Sequence, residues 1–166
     1  MKKLFVAIDN GTTGSVGAVG GDVNYFTKTP TKSCLNYTKK KANVTRIDVP
    51  ELTKLLLTIV GDTPTEEVMV ALERPMVNPT RFVASSSALR AWEATLIVLE
   101  SMSLPYEIID SKEWQKTMLP SGIKGSAELK KASRQVGERL FPQFVGVKHD
   151  DMDGILMAEH LRKKYK

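Results

Sequence analysis

The spacing of the first three apolar segments constrains the fold of this chain more than any other feature. These segments are LFVAID (4–9), SVGAVGG (15–21) and VNYFTKTP (23–30), and the turn GTTG separates the first two. Such short connections join antiparallel neighbours, because parallel strands need a crossover of a dozen or more residues. The sequence therefore predicts a three-stranded meander at the start of the chain.

Helices and strands then alternate. Pro50 begins the predicted helix PELTKLLLTIV, which Gly61 ends. The run EVMVALE (67–73) is continuously apolar, as expected for a strand buried on both faces. SSSALRAWEATLIVLESM predicts a helix with serine caps, and PYEIID (105–110) predicts a fifth strand.

Two more helices are predicted at SAELKKASRQVGERLF and DDMDGILMAEHLRKKY, whereas residues 31–48 are polar and lysine-rich and are expected to form a loop. A meander followed by helix, strand, helix, strand and terminal helices is the order of the ribonuclease H-like fold. The expected fold is thus α/β, with a five-stranded mixed sheet flanked by helices.

Composition favours one soluble domain over residues 1–166. The chain is 42% hydrophobic, enough for one core, and its apolar runs are shorter than the roughly 20 residues of a membrane span. Asp9 ends the first apolar run too early for a signal peptide. Cys34 is the only cysteine, which excludes an intrachain disulfide and a cysteine-based zinc site and suits a cytoplasmic setting.

The positive charge is unevenly distributed. Residues 1–111 hold 12 Lys/Arg and 12 Asp/Glu, whereas residues 112–166 hold 12 against 7, which accounts for the net charge of +5. A second basic stretch runs from Lys28 to Arg46 with no acid among its side chains. Such runs are usually solvated surface, but two of them favour a polyanionic partner such as nucleic acid.

Acidic residues stand where apolar strands end. Asp9 follows the first strand, and Glu73 ends the buried strand EVMVALE. Asp150 and Asp153 are three residues apart and are expected to share one face of the last helix, with Asp151 turned aside. Capping of the helix N-terminus would account for one or two of these acids. The four together favour Mg²⁺, with Mn²⁺ as a substitute, and a pair of ions about 3.5–4 Å apart could promote phosphodiester hydrolysis.

These motifs resemble RuvC-type Holliday junction resolvases, particularly the small versions found in phages. The resemblance covers essentially the whole chain and rests on IDNGTTG, ALERP and DDMDGILMA in this order. It implies that Asp9, Glu73, Asp150 and Asp153 are the catalytic metal ligands. His149 and Asp151 remain alternatives for the third ligand.

The resemblance also implies roles for basic and aromatic residues. In KEWQKTMLPSGIKGSAELKK, Lys116 and Lys130 match the family's catalytic lysines, and Lys124 and Lys131 are neighbouring candidates for DNA binding. Phe82 is a candidate for the family's aromatic wedge, with a core position as the alternative. Lys39, Lys40 and Lys41 are expected to bind DNA.

Parts of the sequence are also compatible with three other functions. IDNGTTGSVGAV also resembles the phosphate loop of actin-like sugar kinases, but the chain offers no second glycine-rich phosphate loop. A relative of the pre-ribosomal RNA nucleases would share the strand-end acids. A non-catalytic branched-DNA binding module would bind phosphates better without four carboxylates.

The expected activity is therefore metal-dependent cleavage of branched DNA, above all of four-way junctions. A homodimer would match the two-fold symmetry of a four-way junction. The expected dimer contact is the helix 86–102, whose apolar stripe consists of Leu89, Trp92, Leu96 and Leu99. The alternative is that the terminal helix covers this stripe within one subunit.

Overall fold

The computed structural model describes residues 3–166 and contains a mixed five-stranded sheet between two layers of helices. The described part of the chain has seven strands: β1 (Leu4–Ile8), β2 (Ser15–Gly20), β3 (Val23–Lys28), β4 (Thr31–Leu35), β5 (Asn43–Ile47), β6 (Val68–Glu73) and β7 (Tyr106–Ile109). The large sheet has the order β3-β2-β1-β6-β7, with antiparallel pairing up to β1 and parallel pairing beyond it. The predicted ribonuclease H-like architecture is confirmed.

Within residues 3–166, five α-helices flank the sheet. They are α1 (Val49–Val60), α2 (Phe82–Ser101), α3 (Ser111–Met118), α4 (Ser126–Leu140) and α5 (Asp153–Lys164), with short 3-10 helices at Thr65–Glu67 and Pro142–Phe144. The predicted meander, β6, β7, α1 and α4 are confirmed, whereas α3 lies in a segment for which no helix was predicted.

The central strand β1 is buried on both faces. Val6 and Ile8 point into a core shared with α1 and α2, while Phe5 and Ala7 point into a second core shared with α3, α4 and α5. This alternation follows from the two-residue period of a strand. The polar residue that follows β1 is therefore held by a rigid, fully packed element.

Helix α5 lies unusually close to β2. A Cβ atom on Gly17 would lie 2.3 Å from the backbone nitrogen of Ile155, and one on Gly154 would lie 2.8 Å from Ser15 Oγ. The N–H of Gly154 donates to Ser15 Oγ at 3.0 Å. Glycine at both positions thus allows the first turn of α5 to contact the sheet beside the end of β1.

Residues 31–48 form a β-hairpin, so the prediction of a loop there is wrong. Strands β4 and β5 pair antiparallel, with Cys34 opposite Val44 and Thr31 opposite Ile47. Both strands carry β-branched residues, which favour strands, but much of the ribbon is exposed and its apolar alternation is weak. Packing of β5 against α2 supports this small second sheet.

Helix α2 begins at Phe82, earlier than predicted, and no serine side chain caps it. Ser85 instead donates through Oγ to Asn78 O at 2.8 Å and accepts the N–H of Asn78 at 2.9 Å. Among residues 3–166, α2 is the one helix long and apolar enough to span a membrane, but Ala91, Val98 and other residues on one face pack in the core.

Two expectations about the exposed face of α2 require correction. Leu99 is fully buried in the core, so it cannot belong to an exposed seam. Trp92 and Leu96 are half-buried, and Leu89 is exposed. The terminal helix α5 packs on the opposite face of the sheet, so it does not cover this stripe.

Candidate metal centre

Two parallel strands bring the first two predicted acids together. Ile8 and Leu72 are register partners on β1 and β6, so Asp9 and Glu73 follow at the same edge of the sheet. The Asp9 N–H donates to Ser15 O at 2.9 Å, which fixes the backbone as it leaves β1. The Glu73 carboxylate is close enough to Asp9 for its charge to raise the pKa of the Asp9 carboxyl group.

The start of α5 adds two further carboxylates. Oxygen atoms of Asp9, Asp151 and Asp153 all lie within 4.8 Å of one another. Asp151 is buried, and its Oδ1 accepts the N–H of Asp153 at 3.2 Å. With Glu73 beside Asp9, these residues form what we call the carboxylate cluster: Asp9, Glu73, Asp151 and Asp153.

The prediction that Asp150 and Asp153 share a helical face is wrong, because α5 begins only at Asp153. Residues 150–152 form a non-helical approach, and the turn at Asp151 directs that carboxylate inward. The Asp150 side chain is 84% exposed, and its Oδ2 lies 3.6 Å from Lys130 Nζ. Asp151 therefore occupies the position in the cluster that was expected for Asp150.

Buried donors orient two members of the cluster. Trp114, fully buried on α3, donates from Nε1 to Glu73 Oε1 at 2.9 Å. Ser133, fully buried on α4, donates from Oγ to Asp153 Oδ1 and accepts the N–H of Met152 at 3.1 Å. Sequence reasoning missed both residues; the only signal for Trp114 was a large aromatic side chain within a polar segment.

His149 joins the approach to α5 to the loop after β1. Its Nδ1 lies 2.9 Å from Asp151 O and 3.2 Å from Asp151 Oδ1, while Nε2 lies 3.1 Å from Thr13 O and 3.2 Å from Gly14 O. The hydrogen bond to the Asp151 side chain is the main cause that raises the pKa of His149 to about 9. Its imidazolium form accordingly places one positive charge beside the cluster at neutral pH.

Burial and mutual repulsion disfavour the ionised form of the carboxylates in the cluster unless a positive charge lies nearby. Burial, followed by repulsion from Glu73, raises the pKa of Asp9 well above its ordinary value. Burial, followed by repulsion from Asp151, raises the pKa of Asp153 to about 7. Hard divalent cations prefer such carboxylate oxygens and favour their ionised form. The donor set therefore fits a divalent metal centre.

The predicted lysines lie at different positions around the cluster. Lys130 contacts Asp150, which lies at the border of the cluster. Lys130 is three residues before Ser133 on α4, so Lys130 and Ser133 share a helical face. Lys116 is two residues from Trp114 and therefore about 200° away around α3, on the exposed side. Lys124 and Lys131 are also exposed.

The remaining predicted DNA-binding residues are on the surface. Lys39, Lys40 and Lys41 lie in the exposed turn between β4 and β5. Phe82 is 71% exposed at the first position of α2, which excludes the alternative of a core residue. Met76, Val77 and Val83 are exposed nearby, so the segment between β6 and α2 presents an apolar tip.

The comparisons with known proteins concern the fold. No protein-family model and no curated protein sequence matches the chain. The structure is similar to RuvC of T. thermophilus in complex with a Holliday junction substrate, at 14% identity and a TM-score of 0.52, covering 95% of this chain and 92% of that one. Another structure, Thermus thermophilus RuvC, has 14% identity, a TM-score of 0.48 and coverage of 98% and 96%. The chain thus has the fold of RuvC, as the sequence resemblance predicted.

Proposed function

We propose that this protein is a RuvC-type, Mg²⁺-dependent endonuclease that resolves four-way DNA junctions by phosphodiester hydrolysis. The observation that carries the proposal is the partly buried carboxylate cluster at the carboxyl ends of β1 and β6, closed by the start of α5. The likeness in fold to a RuvC that was solved with a Holliday junction supports the choice of substrate.

Asp9, Glu73, Asp151 and Asp153 would hold the divalent ions. When bound, such ions supply charge that stabilises the phosphodiester transition state and favours ionisation of the attacking water. Trp114 and Ser133 keep the Glu73 and Asp153 oxygens in fixed orientations through their hydrogen bonds. This preorganisation reduces the rearrangement needed when substrate and metal bind.

Basic side chains on the same molecule would bind the DNA backbone. Of the predicted lysines, Lys130 is the one with a described contact at the border of the cluster, to Asp150. Binding of a phosphate by Lys130 would compete with this contact. Lys39, Lys40, Lys41, Lys116, Lys124 and Lys131 would provide further phosphate contacts. Such contacts position DNA without reading its sequence, so junction shape would set specificity, with Phe82 as the wedge at the branch point.

A homodimer would place two clusters on two symmetry-related strands of a junction. The partly exposed stripe of α2, formed by Leu89, Trp92 and Leu96, is the surface we propose for this contact. Burial of the apolar surface that these side chains still expose would contribute about 25 cal/mol per Å².

The proposal is tested with labelled four-way junction, fork, flap and duplex DNA and duplex RNA, each incubated with the protein in Mg²⁺ or EDTA. We expect paired Mg²⁺-dependent cuts in the junction, and loss of cutting with retained binding for Asp9→Asn, Glu73→Gln and Asp153→Asn. Asp151→Asn is expected to impair cleavage more than Asp150→Asn.

Preferred cleavage of RNA would instead favour the pre-ribosomal RNA nuclease alternative. A thermal shift with ATP, but none with junction DNA, would favour a phosphotransferase. Junction binding without cleavage under any metal would leave only a branched-DNA binding module.

A further inference from the structure

A cavity of about 490 Å³ lies between the β4–β5 hairpin and α2, outside the carboxylate cluster. Ile47 and Ala91 are buried residues of its wall, whereas Leu35 and Tyr37 are exposed lining residues from the hairpin. The cavity lies where β5 of the hairpin packs against α2. Most of its lining residues come from the hairpin and α2 rather than from the central sheet.

The loop after β1 connects this cavity to the metal centre. Thr12 lines the cavity and lies three residues after Asp9, a distance of at most about 10 Å along the chain. Asn10 Nδ2 donates to Ala88 O at 3.2 Å, which holds the loop against α2 between two lining residues, Ser87 and Arg90. A DNA strand at the cluster would need only about three nucleotide steps to reach the cavity.

The charged groups of the cavity favour an anionic ligand with hydrogen-bond acceptors. Arg90 Nε is buried and has no hydrogen-bond partner among residues 3–166, and an orphaned buried donor is unfavourable unless a ligand accepts from it. Arg46 also lines the cavity and lies directly opposite Lys32 across the hairpin, where like charges are destabilising. Glu93 is the acid in the lining, and it could accept from a base amino group.

We propose that this cavity binds one unpaired nucleotide of the branched DNA strand that is cut at the carboxylate cluster. Tyr37, 86% exposed beside the cavity, would stack on the base, and Arg90 and Arg46 would donate to base or phosphate acceptors. Aromatic platforms beside basic groups are typical of single-stranded nucleic acid sites. Bases at a branch point are also less costly to unpair than bases within a duplex. This inference rests on the proposed nuclease function.

The cavity is separate from the stripe of α2 that we propose for the homodimer. Successive helical residues are about 100° apart, so Arg90 and Ile97 face a different direction from Leu89 and Leu96. A second copy of this chain is nevertheless the main alternative occupant, because Leu35, Tyr37 and Ile97 are exposed apolar or aromatic residues. The experiment distinguishes these occupants.

The test is a thermodynamic cycle on binding, performed in the Asp9→Asn background to prevent cleavage. Junctions carry a single abasic site at each of the three positions on either side of the expected cut. At one position the abasic site should lower affinity about 10-fold, Tyr37→Ala on intact DNA should lower it by a similar factor, and the two changes together should cause little further loss. Tyr37→Trp should restore the sensitivity to the missing base.

Tyr165→Ala is the matched control, because Tyr165 stacks on Phe5 rather than at this cavity. Its effect should add to that of every abasic site. Additive effects of Tyr37→Ala at all positions would overturn the proposal, as would a change of oligomeric state in light scattering of Tyr37→Ala without any change in base sensitivity. Absence of junction cleavage by the unmodified protein would instead count against the proposed function, since the binding cycle does not depend on cleavage.

Discussion

Replacement of Asp153 by asparagine is expected to stabilise the metal-free protein at alkaline pH. Burial among the carboxylates raises the Asp153 pKa from 3.8 to about 7. A group whose pKa is raised by folding favours the folded state when protonated. Its contribution to stability is thus complete below about pH 4 and is lost as the pH rises through 7. Asparagine removes this charge while its side-chain oxygen can still accept from Ser133 Oγ.

The size of the Asp153 pKa shift determines how much Asp153→Asn should change the stability of the protein. A rise from 3.8 to about 7 corresponds to about 4 kcal/mol of lost stability once Asp153 is fully ionised. For a chain of this length, 1 kcal/mol changes Tm by about 2–4 °C. We therefore expect Asp153→Asn to raise Tm by about 10 °C at pH 8.5 in EDTA and by less than about 2 °C at pH 4.

The assay is thermal unfolding followed by circular dichroism from pH 4 to pH 8.5, with EDTA or Mg²⁺. Mg²⁺ should raise Tm of the unmodified protein at pH 8.5 and should have much less effect on the variant. Asp150→Asn is the control, because that side chain is 84% exposed and contacts Lys130 only at the surface. A pH-independent difference between Asp153→Asn and the unmodified protein would refute the electrostatic reasoning.

Three further predictions concern catalysis, DNA binding and assembly. Trp114→Phe removes the donor to Glu73 and should lower kcat for junction cleavage about 10-fold with little change in DNA affinity. Met118→Leu, a change at another buried residue of α3, should leave kcat nearly unchanged. Equal losses in both variants would point to general destabilisation, which thermal unfolding would reveal. Neutralising Lys39, Lys40 and Lys41 together should flatten the dependence of junction affinity on salt, and an unchanged slope would mean that the hairpin turn does not bind phosphates. Leu96→Glu should convert a dimer into a folded monomer that nicks junctions singly, and a monomeric unmodified protein at micromolar concentration, with and without DNA, would refute the proposed assembly.

The hydrophobic pattern determined the sheet and the first half of the site. Short connections enforce the antiparallel meander, and the continuous apolar run of β6 requires burial on both faces. Because β1 and β6 are parallel and adjacent, their ends bring Asp9 and Glu73 together. Sequence reasoning identified both residues because each lies directly at the end of a strand.

The second half of the site depended on tertiary contacts that no local pattern contains. The choice between Asp150 and Asp151 is set by the start of α5, where Gly17 and Gly154 permit a close approach to β2 and Ser15 Oγ accepts the N–H of Gly154. Trp114 reaches Glu73 from a helix 41 residues later in the chain, and Ser133 reaches Asp153 from a neighbouring helix.

The β4–β5 hairpin also depends on tertiary contacts that the sequence pattern does not reveal. Its strands are exposed and polar, so their apolar alternation is weak, and packing of β5 against α2 supports them. The cavity beside Thr12 is formed where that packing brings the hairpin and α2 together from distant parts of the chain. A sequence reports which residues prefer to be buried and with what period, whereas the contacts between distant segments arise only when those buried faces meet.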